Sequence, residues 1–462
     1  MLLRPLQTVV FAYHFLLAVV AGLAIADEPV RPSISVVPSS ISLTDARDTQ
    51  QILVLRTLPD GSTSDVTAAA ELTLSDPAIC KIEQGRIQPL SDGKCQLNVR
   101  FEEFETTAAV EVTNSAIVPD LQFRSEVLAV LTKSGCNAGK CHGAASGKDG
   151  FRLSLFGYDP AGDHHRLTRE FPGRRVNVNS PDSSLLLRKA VGNVNHTGGQ
   201  CLEEDSEHFR VLRSWIAAGA PADPPEVAVP VGIHVYPAEA VFSSQQATPQ
   251  PLLVLASFSD GTDRDVTDLC VFLSNNDAVS TVSGSGIVTP TGPGTAFILA
   301  RFDQFTEGSD IVVRPGKEYR FPDLAPDNQI DTLVFERWKD LHLLPSEVCS
   351  DEEFLRRASI DLIGLLPTPE ERSAFLANTD PNKRSSQIDA LLQRPEFLDI
   401  WVMKWAELLQ IRTVNGLSPK GLLLYDRWLR ERVHAGQSID QIIRELIPAT
   451  GGTFENPATS YY

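Results

Sequence analysis

The sequence predicts a multidomain β + α protein: two β-sandwiches, a small mainly helical domain between them, and an all-α C-terminal domain. Three observations lead there. Short alternating strands and Asp-Gly turns over residues 31–114 return 200 positions later over 231–315. The stretch between the copies, 119–223, opens and closes with helical patterns around a Cys/His motif. From 327 to 462 the apolar period is helical throughout. A chain of 462 residues has room for three or four such domains.

The N-terminus precedes all of these. Arg4 stands before an apolar run from Val9 to Leu23, and Ala24-Ile25-Ala26 offers a small-residue cleavage site. Residues 1–26 therefore read as a secretory signal peptide, too short and too interrupted (His14) for a membrane anchor. The expected location is exported, periplasmic or at the cell surface, with no membrane span after cleavage. The net charge of −18 excludes a basic nucleic-acid-binding face and suits a soluble exported protein.

The sandwich elements repeat position by position. Ile34-Ser35-Val36-Val37-Pro38 returns as Ile233-His234-Val235-Tyr236-Pro237, and Leu53-Val54-Leu55 as Leu253-Val254-Leu255. The turn Asp60-Gly61 and the following Asp65-Val66-Thr67 return as Asp260-Gly261 and Asp265-Val266-Thr267. Matches on turns and alternating core positions report a duplicated fold rather than a binding site. Cys80 and Cys95 align with Ser280 and Ala296; their joint absence from the second copy makes them a disulfide candidate. Two buried free thiols are the alternative. Cys201, Cys270 and Cys349 have no evident partner.

The chemistry is concentrated at Cys136-Asn137-Ala138-Gly139-Lys140-Cys141-His142. Two cysteines followed at once by histidine form the attachment pattern of a c-type haem, the thiols adding to the porphyrin vinyl groups and the imidazole ligating the iron. The usual gap between the cysteines is two residues, and here it is four. Three readings stay open: haem c on Cys136 and Cys141 with His142 as proximal iron ligand, a local Cys136–Cys141 disulfide, and another metal. Methionine cannot supply a distal ligand within this segment, because the chain has only Met1 and Met403. His196 is the candidate distal ligand; His164, His165 and His208 are its rivals, and a plain loop histidine is its bland reading. Gly147–Gly157 lacks the Walker spacing and reads as a turn followed by an alternating strand. Phe123–Lys133 reads as a helix before the cysteines; Phe209, Leu212, Trp215 and Ile216 share a face of a closing helix that Gly219-Ala220-Pro221 ends.

In the C-terminal third, Ile330, Leu333, Val334 and Trp338 share a helix face. Thr368-Pro369-Glu370-Glu371 and Ser438-Ile439-Asp440-Gln441 carry helix-capping signals. Trp401, Trp405 and Trp428 are expected to pack helices together. Asp361, Glu370 and Glu371 are available carboxylates, but helix starts and polar faces explain them. No nucleophile–base pair has meaningful spacing, so the sequence gives no catalytic residues.

Three resemblances extend this reading. The stretches 31–114 and 231–315, with their Asp-Gly…Asp-Val-Thr turn, resemble bacterial group 2 immunoglobulin-like domains (BIG2), which implies spacing, presentation or adhesion. Pro181–Ala190 and Leu212–Pro221 resemble the "pxSxLLxKA" and "LxxWIxxGAP" stretches of the cytochrome c-like domain of exported planctomycete proteins. Phe354–Glu371 and Leu391–Phe397 resemble the domain of unknown function that accompanies it. The final stretch, Gly452–Tyr462, resembles an interior motif of that domain, so the expectation is a fragment. The implied function is an exported multidomain haem-binding protein for electron transfer or redox sensing, with a basic redox partner facing its acidic surface. The alternative is a haem-free surface scaffold or adhesion protein whose sandwiches bind a cell-surface protein or a glycan.

Overall fold

The computed structural model describes residues 31–244, 248–316, 318–413 and 417–462. The expected signal peptide, residues 1–26, lies outside them. The chain forms two compact units, one ending at Leu344 and one spanning Pro345–Tyr462.

The first β-rich domain runs through β1 (Ser33–Val37), β2 (Ser40–Leu43), β3 (Gln50–Gln51), β4 (Leu53–Thr57), β5 (Thr63–Asp65), β6 (Glu71–Leu74), β7 (Cys80–Glu83), β8 (Arg86–Pro89), β9 (Gly93–Phe101) and β10 (Phe104–Val112). One face is the sheet β2-β10-β9-β6; opposite lie β1-β4-β5 and β3-β8-β7. Cys95, Leu97 and Val99 alternate inward along β9, and Ala108, Val110 and Val112 do so along the antiparallel β10. Each such large apolar side chain contributes roughly 1.5–3 kcal/mol by leaving water.

The repeating turn has a physical basis. Asp60 Oδ1 accepts the Ser62 amide at 2.9 Å, closing the tight turn. Asp65 Oδ1 accepts the Thr67 amide at 3.0 Å, and Thr67 Oγ1 in turn accepts the Val54 amide at 2.7 Å. The motif thus satisfies an amide of β4 that no neighbouring strand reaches.

The second β-rich domain repeats the plan through β11 (Pro230–Tyr236), β12 (Glu239–Ser243), β13 (Gln250–Pro251), β14 (Leu253–Phe258), β15 (Asp263–Asp265), β16 (Val271–Ser274), β17 (Ser280–Val282), β18 (Ile287–Pro290), β19 (Gly294–Phe302) and β20 (Phe305–Arg314). Its sheets, β11-β14-β15, β12-β20-β19-β16 and β13-β18-β17, have the order of the first copy. The two copies pack on each other through equivalent positions: Leu53 and Leu55 of β4 meet Leu253 and Leu255 of β14, flanked by Val37 and Tyr236.

Between the sandwiches, a π-turn Phe123–Val127 leads into α1 (Leu128–Lys133), followed by α2 (Pro160–Thr168), α3 (Leu185–Ala190) and α4 (Glu207–Ala217). Phe209, Leu212, Trp215 and Ile216 of α4 are buried together against Phe123, Leu128 and Leu131. The Asp223 carboxylate accepts the Phe123 and Arg124 amides at 2.5 and 2.8 Å, tying the end of the segment to its start. The segment docks on the second sandwich: Ala129 joins that core, Arg124 pairs with Asp303 at 2.7 Å, and Lys133 donates to the Cys270 and Gly284 carbonyls.

The strand expected after the Gly147 turn does not form. Lys148 and Phe151 make one bridge pair, and the chain then coils into a 3-10 turn, Leu155–Gly157. The reason is the buried Asp163 of α2, which accepts the Ser154 amide at 2.6 Å and the Ser154 hydroxyl at 2.5 Å. A side chain has taken the place a neighbouring strand would need.

Last in the first unit comes α5 (Gln329–Asp340). Its expected apolar face is not a core face, since Ile330 and Leu333 are exposed. The second unit is all-helical: α6 (Asp351–Ile363), α7 (Pro369–Ala377), α8 (Lys383–Leu392), α9 (Pro395–Leu408), α10 (Pro419–His434) and α11 (Ile439–Leu446). Reciprocal capping boxes start α7 at Thr368 and α11 at Ser438. Trp428 is buried with Tyr425, Leu429, Ile442 and Leu446, and Trp405 packs on that cluster. Trp401 departs from the expectation: it is 40% exposed, edge-on to Phe397 and under Lys404.

Candidate functional site

The Cys/His loop is set by main-chain hydrogen bonds at the end of α1. The Cys136 amide donates to Leu131 O at 2.9 Å, the His142 amide returns to Cys136 O at 3.0 Å, and the Gly143 amide donates to Ala138 O at 3.1 Å. The loop closes so tightly that a Cβ on Gly143 would stand 1.9 Å from Asn137 O. Only glycine fits there, which explains why glycine follows the histidine. The Leu153 amide donates to His142 O at 2.8 Å, pinning the next stretch of chain beneath the loop.

His142 lines a cavity of about 340 Å³ with Cys136, Phe151, Arg175, Lys189, His196 and Cys201 among its walls. The His142 and His196 ring centroids are 6.1 Å apart, with planes only 7° from parallel. His142 Nδ1 donates to Phe151 O at 3.0 Å, and His196 Nδ1 donates to Gly199 O at 3.1 Å. Each bond fixes the tautomer that leaves Nε2 unprotonated, the state in which imidazole ligates a metal. Burial holds the His142 imidazole below its ordinary value and so favours the neutral ring, partly opposed by the Phe151 hydrogen bond. Gly198 makes room for this arrangement, because a Cβ there would meet His196 Cε1 at 2.9 Å.

Two imidazoles with Nε2 left free on one cavity wall are the donor type that a haem iron takes. The rival histidines do not line this cavity. His164 Nε2 bonds Ala220 O at 3.0 Å, His208 Nε2 bonds Asp268 O at 3.2 Å, and His165 is exposed. Among the described residues, no group of three or more His, Cys, Asp and Glu side chains is arranged to hold a metal by itself.

The cysteines are arranged differently from the expected pair. Cys136 lines the cavity, but Cys141 is not among its lining residues, and Cys201 is. The Cys201 thiol is turned to the Gly198 and Gly199 carbonyls, at 3.8 and 3.7 Å. The influence of Cys201 and burial push the Cys136 thiol up, while that of Cys136 pulls the Cys201 thiol down to about 6. In the first sandwich, the Cys80 and Cys95 sulfurs face each other at 3.5 Å, and burial pushes the Cys80 thiol up to about 12.

Sequence reasoning did not assign Cys201, Phe151, Arg175 or Lys189 to the site. Cys201 alone left a signal, an unpaired cysteine five residues after His196. Arg175 is buried between Phe151 and Phe171, its guanidinium 4.4 and 5.0 Å from their centroids, and donates to Glu170 Oε2 at 2.7 Å. It braces the Phe151 wall against which the His142 ring rests at 4.6 Å.

Residues 329–462 match the family model PSCyt2, described as a protein of unknown function (DUF1549). No curated protein matches. Among solved structures, domains 5–6 of the S-layer protein SbsC are 9% identical, covering 62% of this chain and 100% of that one, with a TM-score of 0.24. Domains 1–6 of the same protein are 9% identical over 63% of this chain and 28% of that one, at 0.18. InvD of Yersinia pseudotuberculosis is 9% identical over 64% and 60%, at 0.14. No helix among the described residues is long and apolar enough to cross a membrane. The chain is thus a multidomain protein in which two β-rich domains flank a helical segment and a domain similar to PSCyt2 follows.

Proposed function

We propose that this is an exported scaffold protein in which two Ig-like sandwiches, locked back to back, carry a cytochrome c-like module that takes haem c for electron transfer or redox sensing. Export rests on the signal-peptide pattern of residues 1–26. The observation that carries the haem is the His142–His196 pair: parallel rings 6.1 Å apart, each with Nδ1 bonded to a carbonyl, on the wall of one cavity. Bound there, haem would supply one-electron redox chemistry. His142 and His196 would hold its iron, and Cys136 and Cys141 would be its thioether anchors. Phe151 and Leu186 would exclude water from its faces, and Arg174 and Lys189 supply positive charge for its carboxylates.

A second reading is the same scaffold without haem, acting in adhesion or presentation. It is favoured by the cavity lining, which holds Cys136 and Cys201 but not Cys141. One experiment separates the two. The chain is produced in a host that attaches c-type haem and stained for haem after denaturing electrophoresis, beside a Cys136→Ser/Cys141→Ser control. A stain that survives denaturation and disappears in the control supports the haem module; H196A then loses the low-spin absorption spectrum. A colourless wild-type chain leaves the haem-free scaffold.

A further inference from the structure

We propose that Arg175 is a positioning residue of this site: it fixes the turn at 148–151 so that the Phe151 carbonyl meets His142 Nδ1, which leaves Nε2 as the free donor. The turn is closed within itself, the Lys148 amide donating to Phe151 O and the Phe151 amide to Lys148 O, both at 2.9 Å. Gly147 enters it at φ +65°, where a Cβ would stand 2.3 Å from Phe151 O, so no side chain can crowd that carbonyl from this side. A turn closed in this way moves as a body, and the direction of its carbonyl has to be set from outside. Arg175 sets it from a separate stretch of chain. Its Nη2 donates to Gly150 O at 3.2 Å, one residue before Phe151, and its guanidinium lies 4.4 Å from the Phe151 ring centroid.

Arg175 is itself held firmly. Nη1 donates to Arg166 O of α2 and to Glu170 Oε2, the latter at 2.7 Å, and the Phe171 ring lies 5.0 Å away. Its own carbonyl accepts the Leu186 amide of α3 at 3.0 Å. The side chain is only 8% exposed. One planar fork therefore joins α2, the stretch after it and the turn, and a lysine ammonium cannot present donors to these acceptors in the same plane. His196 is placed differently. Its acceptor, Gly199 O, belongs to its own turn, which the Gly199 amide closes onto His196 O at 2.9 Å. His196 needs no brace from Arg175, so the effect of Arg175 falls on one of the two imidazoles. The setting of the His142 ring belongs to the chain without haem; only its use toward an iron rests on the haem reading.

The test uses the full chain without haem, labelled with 15N at histidine, at about pH 8, where ordinary imidazoles are neutral. Ring nitrogen spectra report which nitrogen carries the proton, and H142Q and H196Q assign the two signals. In the wild type the His142 proton is expected on Nδ1. In R175M the ratio of Nδ1–H to Nε2–H at His142 should fall about tenfold, the worth of one hydrogen bond, with His196 unchanged; R175K should not restore it. Should R175M fail to fold, F171L, which alters an exposed ring, should show the same change at about twofold. A wild-type proton on Nε2, an unchanged His142 ratio in the folded variants, or an equal change at both histidines would overturn the proposal. The wild type is stained for haem separately. No stain with a changed His142 in R175M removes the haem reading and leaves the positioning role; a stain with an unchanged His142 does the reverse.

Discussion

The two sandwiches share strand order, core periodicity and the Asp…Asp-Val-Thr turn, yet they differ at the seam where they meet. In the second copy, Asp265 is fully enclosed. Beyond the Thr267 amide, it accepts the Gln51 amide at 2.8 Å and pairs with Arg86 at 3.2 Å, both from the first copy. The equivalent of Gln51 is Pro251, which has no N–H to return to Asp65. The β3–β8 register places Arg86 opposite Gln51, and the β13–β18 register places Ile287 opposite Pro251. One local motif therefore does two jobs. At Asp65 it closes a turn, and at Asp265 the same turn also anchors a neighbouring domain, because only the first copy offers donors to it. A second difference lies in the cores, where Cys80 and Cys95 face each other and Ser280 and Ala296 stand in the second copy. There the Ser280 hydroxyl bonds Thr289 O at 3.3 Å instead.

The apolar part of the seam is symmetric, and breaking it has the largest expected effect. L53A and L253A each remove a fully buried leucine and should each cost about 3–4 kcal/mol in urea unfolding of the full chain. Their double variant should cost less than the sum, because the two side chains share one cluster. A loss below about 1 kcal/mol for either would mean the seam is not a joint core.

The polar part is asymmetric, and R86A should cost about 3 kcal/mol near neutral pH by leaving Asp265 buried without its guanidinium. Burial already holds the Asp265 carboxyl above its ordinary value, with Arg86 opposing. Between the unfolded and folded values the native chain binds more protons, so this group's contribution to stability falls as pH rises. Removing Arg86 raises the folded value further. The R86A deficit should accordingly be smallest below about pH 4 and grow toward neutrality; a deficit independent of pH would assign Arg86 a packing role alone.

The smallest effect concerns the core cysteines. A Cys80–Cys95 disulfide would make the oxidised chain about 2 kcal/mol more stable than the reduced one. Reductant should lower the unfolding midpoint of the wild type and leave C80S/C95A unchanged, that variant copying the second sandwich. Two free thiols at these positions in the oxidised wild type, with no response to reductant, would abolish this difference between the copies.

The sequence displays some of this and conceals the rest, for reasons that can be assigned residue by residue. The duplication was legible because turn geometry and strand alternation are local: Asp60, Gly61, Asp65 and Thr67 determine their own hydrogen bonds within a few positions. The capping boxes at Thr368 and Ser438 were legible for the same reason. The expected strand after Gly147 failed because its alternation was real but its partner was absent, the buried Asp163 taking the Ser154 amide. In the candidate site, His142 announced itself beside the cysteines, whereas the 6.1 Å between its ring and that of His196 is set by the fold alone.

By itself, then, the sequence determined the succession of two sandwiches, a helical segment and a helical C-terminal domain. Periodicity, capping and turn chemistry act over a few residues and need nothing distant. Only the tertiary structure decided which faces of the duplicated sandwiches meet, that Arg86 and Gln51 reach Asp265, and that Cys201 rather than Cys141 lines a cavity with Cys136. Those outcomes depend on where separate segments come to rest, and no local pattern encodes the partner a side chain meets across tens or hundreds of positions.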